Sequence, residues 1–249
     1  MNRVIISGAL ALAASSGVAS ANLVGQNAQY DGSYTINTQG QLVGSTRSSD
    51  VIAYTNRPSP ANSGFANPDL TATYGDELTL AATGRLQEVS FGVFNAGSSA
   101  GAMTGATVGL DFFRASDGSS LGGFSVDLSG VLGTTPLDPG FFREFSIPDL
   151  ASEGIDIDTD EIIMLQSYSD VTGASVIGVA SRVPPTVGSA IPQLYIDATG
   201  VGSGPGFFNI TDANQQPLTF NMVAEIVVPS PAGASVLAMA GLVGLRRRR

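Results

Sequence analysis

Apolar and polar residues alternate along much of this chain with a period of two. Val89, Phe91 and Val93 alternate with Ser90 and Gly92, and Phe124, Val126 and Leu128 alternate with Ser125 and Asp127. Phe220, Met222, Ala224 and Ile226 alternate with Asn221, Val223 and Glu225, so one face is apolar and the other mostly polar. Successive side chains of a strand point to opposite faces, and this pattern predicts antiparallel strands with one face buried and one wet. Further strands are expected at residues 51–56, 77–82, 106–115, 141–147, 162–167, 175–180 and 193–197, roughly ten in all. Asp117-Gly118 suits a tight hairpin because Gly accepts positive φ, and Thr83-Gly84 sits similarly between two apolar positions. Residues 148–154 hold at most one helical turn, and the polar stretch 22–50 packs as an edge strand or a loop. The expected fold is all-β: one antiparallel β-sandwich over residues 22–226, with a jelly-roll-like topology.

Composition removes whole classes of chemistry. The chain has no His, Cys, Trp or Lys. That excludes an imidazole base or metal ligand, a thiol nucleophile, a disulfide, a Schiff base and a P-loop lysine. Gly200 to Gly206 is rich in glycine but lacks the Lys and the following helix of a phosphate loop. The eleven basic residues are all Arg, and five of them lie at the ends, Arg3 and Arg246, Arg247, Arg248 and Arg249. Residues 22–226 thus carry six Arg against all 21 acids, a net charge of −15. Such a surface repels phosphate backbones, so no nucleic-acid partner is expected.

The two ends read as addresses. Met-Asn-Arg is followed by an apolar stretch from Val4 and then by Ala19-Ser20-Ala21. A basic start, an apolar helix and an A-x-A site predict a signal peptide over residues 1–21, cut after Ala21 by signal peptidase. At the other end, residues 227–249 read Val-Val-Pro229-Ser230-Pro231, then fourteen uncharged residues, then four arginines. As a helix those fourteen would reach about 21 Å, short of the ~30 Å hydrocarbon core. The arginines can snorkel, so transient membrane association is expected, with the body outside. This Pro-x-Pro, short apolar helix and Arg cluster resembles the PEP-CTERM sorting signal of Gram-negative-type bacteria. Pro229 and Pro231 match, and Ser230 stands where Glu is usual. The resemblance implies processing by an exosortase-like protease and delivery to the cell surface or extracellular matrix. It covers the tail alone.

Candidate chemistry in the body is sparse. Asp156, Asp158 and Asp160 alternate as calcium ligands do, but the sixth and twelfth positions of such a loop hold Glu161 and Ser167. They are weak calcium candidates, and no metal or cofactor is expected. Asp111, Asp127, Glu144 and Glu161 are candidate carboxylates for glycoside hydrolysis, with nothing in their spacing to select a pair. Tyr30, Tyr34, Tyr54, Tyr74, Tyr168 and Tyr195 are candidate platforms for extracellular polysaccharide. Phe112-Phe113 and Phe141-Phe142 must each send one ring to the second face. The expectation is a non-enzymatic, exported protein with a structural or binding role. The alternatives are a carbohydrate-binding module and a secreted glycoside hydrolase.

Overall fold

The structure is a computed structural model that describes residues 23–44, 50–57, 63–96, 101–181, 184–198, 205–211, 214, 217–218 and 222–229. It is mostly β-sheet. Thirteen strands of three or more residues are labelled here in chain order. They are β1 (Gln29–Thr35), β2 (Val51–Thr55), β3 (Ser63–Asn67), β4 (Thr73–Thr79), β5 (Glu88–Asn95), β6 (Gly105–Arg114) and β7 (Ser120–Asp127). The rest are β8 (Phe141–Ile147), β9 (Glu161–Thr172), β10 (Ile177–Ser181), β11 (Leu194–Asp197), β12 (Gly206–Phe208) and β13 (Val223–Val228).

Two large sheets form. The first has the order β7-β6-β9-β4-β11-β12, with Ser189–Ala190 added beside β4. The second runs from Gln26–Asn27 through β3, β10, β5 and β8 to β1, with β13 paired to both β5 and β2. One hydrophobic cluster draws on both sheets: Tyr74, Leu110, Phe112, Ile162 and Met164 from the first, and Phe65, Val89, Phe91, Phe145 and Ile226 from the second. Alternation explains who enters it. Phe112 is buried there while Phe113 lies against Ile163 and Leu165 on the other face of the first sheet. Phe141 packs against the same cluster while Phe142 joins Phe94 on the other face of the second sheet.

Each of the ten expected strands overlaps an observed one, most agreeing within a residue or two at one end at least. The run expected at 77–82 belongs to β4, which starts earlier and stops at Thr79. Its first half was obscured because Gly75 and the buried Asp76 break the apolar pattern. The β6–β7 hairpin turns at Asp117-Gly118: Gly118 has φ +68, and Asp117 Oδ1 accepts the Ser119 N–H at 2.9 Å. Thr83-Gly84 closes no hairpin; Gly84–Arg85 instead pairs with Asp156–Ile157. Pairing is not wholly antiparallel, since β1 lies parallel to β8 and Leu23–Val24 parallel to Ile210–Thr211. The expected wet face of β13 is also corrected: all six residues are buried, Glu225 included, because polar side chains cover the outer side there. Helical structure among the described residues is a turn at Ser129–Leu132 and a 3-10 turn at Leu150–Glu153. Neither is long and apolar enough to cross a membrane. The expected signal helix and tail helix lie outside the described residues.

Candidate functional site

Charged groups converge on the outer face of the second sheet. Thr55 ends β2, and its Oγ1 accepts the Arg57 N–H at 3.1 Å, turning the chain back over the sheet. The Arg57 guanidinium then reaches Glu225 on β13 at 3.2 Å, Ser146 on β8 at 2.7 Å, and the Glu144 carboxylate. Ser146 Oγ also shares a hydrogen with Ser90 Oγ on β5 at 2.7 Å. Register places Ser90 opposite Ser146 and Gly92 opposite Glu144, so the network spans adjacent strands on one face. Both Glu side chains are buried, whereas Arg57 keeps about a fifth of its side chain exposed (22%). One guanidinium between two carboxylates supplies charge-assisted hydrogen bonds that offset their removal from water. The arrangement ties β2, β8 and β13 together.

A second arginine seals the edge. Arg143 is buried on the core side of β8, its Nε donating to Asp31 at 2.9 Å and its Nη atoms to the carbonyls of Thr135 and Pro136. Its Cζ lies 4.9 Å from the centre of the Tyr34 ring, a cation–π contact.

Two of the three calcium candidates have their carboxylates engaged elsewhere. Asp156 is held by the fork of Arg85 at 2.7 and 3.0 Å, and Asp158 by that of Arg114 at 3.1 and 2.5 Å. The Arg114 hydrogen bonds and charge keep the Asp158 carboxyl below its ordinary pKa. Asp160 accepts the Leu80 N–H through its backbone carbonyl at 2.7 Å. Among the described residues, no three acidic side chains gather as a metal set.

The carboxylates considered for hydrolysis stay apart. Glu144 is on the second sheet, whereas Asp111, Asp127 and Glu161 are on the first. Asp111 faces Leu165, four residues along β9 from Glu161, and Asp127 faces Thr107, four residues along β6 from Asp111. Four residues of strand span roughly 13 Å, beyond the separations that serve glycoside hydrolysis. Burial pushes the Asp111 carboxyl up, while hydrogen bonds from Ser129 hold Asp127 down. Four of the six candidate tyrosines, Tyr54, Tyr74, Tyr168 and Tyr195, are buried. Tyr34 lies under Arg143, which leaves Tyr30, 44% exposed, with its ring 5.3 Å from that of Phe142.

Sequence reasoning missed Arg57 and Glu225 as a site. Glu225 read as a solvated position on a half-wet strand, and its partner lies 168 residues away. Of the end residues, Pro229 is described and sits beside Gly84, following Val228 directly. Ala19, Ala21, Ser230, Pro231 and Arg246 to Arg249 lie outside the described residues. Comparison with protein-family models, with curated proteins and with solved structures finds no match.

Proposed function

We propose that this chain is an exported protein of a bacterial cell surface or extracellular matrix, displaying a structural or binding β-body. Its residues 1–21 act as a signal peptide for signal peptidase, and residues from Pro229 onward act as a sorting tail for an exosortase-like protease. The observation that carries this reading is where the sheets stop. The first described strand begins at Leu23, two residues after Ala21, and the last ends at Val228, immediately before Pro229. The described strands thus lie between the two address-like segments. The body itself is proposed to be a β-sandwich of the jelly-roll kind. In support, one core takes residues from both sheets, and the chain changes sheet at most connections, as from β3 to β4, β5 to β6, β7 to β8 and β8 to β9. The reading is non-enzymatic, in line with carboxylates that are either far apart or locked to arginine.

Mass spectrometry of the protein recovered from its host tests the assignment. The mature species is expected to begin at Asn22 and to lack Arg246 to Arg249. A mature species that keeps all four terminal arginines overturns the sorting assignment and leaves a plain anchor.

A further inference from the structure

β10 and β13 share one edge of β5, and between them the described strands leave backbone groups of β5 without a strand partner. β10 pairs with Phe94 and Asn95, and β13 pairs with residues from Glu88 to Phe91. Inward-facing side chains of the first sheet fill the gap. Gln166 Nε2 donates to the Gly92 carbonyl at 2.9 Å and to the Tyr168 hydroxyl at 2.6 Å, and that hydroxyl donates to the Gly178 carbonyl at 2.6 Å. Asp76 Oδ2 accepts the Met222 N–H at 3.0 Å. These bonds fix orientation: with its amide nitrogen spent on two acceptors, Gln166 Oε1 is left facing as an acceptor alone. Among the described residues, neither Gln166 Oε1 nor Asp76 Oδ1 has a hydrogen-bond partner, and both residues have no exposed surface.

The two groups are neighbours by register. Asp76 stands opposite Met164 on β9, and Gln166 lies two residues along on the same face, a diagonal pair. Val223 opposite Phe91 sets Met222 beside Gly92, so the two side chains are anchored on adjoining backbone groups. Two buried acceptors with no donor between them are costly, and one proton resolves both. We propose that Asp76 is the neutral acid in the folded protein, its Oδ1 hydroxyl donating to Gln166 Oε1. The chain Met222–Asp76–Gln166–Tyr168–Gly178 then closes from one sheet to the other.

Among the described residues no cation faces Asp76, and the Met222 and Val223 N–H groups, which favour its ionised form, are outweighed by burial. On β4 itself Tyr74 shares the inner face and donates to the Ile177 carbonyl, while Glu77 points to the opposite face. Met164 and Tyr168 face it from β9, Leu194 stands opposite on β11, and Asn56, whose amide makes no bond to Asp76, follows β2. Glu225 and Arg57 engage each other on the far side of β13. Burial accordingly pushes the Asp76 carboxyl well above the usual range.

Urea unfolding of the full chain from about pH 5 to about pH 9 tests the proposal against Asp76→Asn, which keeps an acceptor for Met222 and a donor for Gln166. Relative to the variant, the wild-type folding constant is expected to fall about tenfold per pH unit until Asp76 ionises, because the folded state holds one extra proton. Parallel pH profiles overturn it. Infrared spectra of the wild type labelled with carboxyl-13C aspartate give an answer that does not need the variant to fold. Asp76 is the one fully buried aspartate among the described residues. A carboxylic-acid carbonyl band persisting at neutral pH is expected, and carboxylate bands alone overturn the proposal.

Discussion

Arg57 carries one positive charge to two buried carboxylates, and removing it takes that charge from both. Loss of one partner of a buried pair costs about 3–5 kcal/mol, and the partial exposure of Arg57 places Arg57→Ala near the low end. Urea unfolding at neutral pH is expected to show a loss of about 3 kcal/mol. Glu225→Gln keeps a hydrogen-bond acceptor for the guanidinium and is expected to cost less than half of that. Equal losses in the two variants would show that packing, not charge, dominates the site. Alternation along a strand tells which residues share a face, and it placed Glu225 correctly opposite Ile226. It does not tell what covers that face. Period two was therefore read as burial against water, where the outer face holds Phe94 and Phe142 in an apolar patch beside an ion network.

At the scale of elements, the last described strand is an interior one. β13 is hydrogen bonded to β2 on one side and β5 on the other, and all of its residues are buried. Chain order and sheet order diverge here, so the second sheet cannot be completed until residue 228 is available. A chain ending at Pro229 is expected to retain the strand-dominated circular dichroism and protease resistance of the full protein. A chain ending at Met222 is expected to lose both. Resistance surviving in the shorter chain would mean that β2 and β5 close on each other without β13. The long, alternating strands were legible in the sequence because both their faces follow hydrophobic periodicity. β3 was not: Ser-Gly-Phe-Ala-Asn has one large apolar side chain and owes its pairing to β10. β1 appeared only as a polar stretch that fits an edge strand, and its parallel register with β8 leaves no local trace. Val227 and Val228, counted with the tail in the sequence, pair with Ile52 and Val51 as ordinary strand residues.

At the scale of the molecule, the polar contacts that distinguish this body join residues far apart in sequence, Asp76 to Met222 across 146 positions and Arg57 to Glu144 across 87. No spacing rule reaches that far, so the fold class was legible and the site was not. Net charge, by contrast, is readable without any structure: six Arg against 21 acids give −15 for residues 22–226. Two opposed pH effects follow. Asp117, Asp127 and Asp158 are held below their ordinary pKa by hydrogen bonds, so each adds stability above the unfolded value that is lost as pH falls through the folded one. Asp76, Glu77 and Asp111 are raised by burial, so their protonated forms favour the fold at low pH and their ionisation erodes it as pH rises. Added salt screens the excess negative charge and should raise the melting temperature. Calcium is expected to do no more than sodium at matched ionic strength, because Arg85 and Arg114 already occupy Asp156 and Asp158. A specific site would show instead as a saturable extra shift following RT ln(1 + [L]/Kd). That shift, abolished by Asp158→Asn, would mean that calcium displaces the Arg114 fork, and the acidic loop would then be a metal site after all.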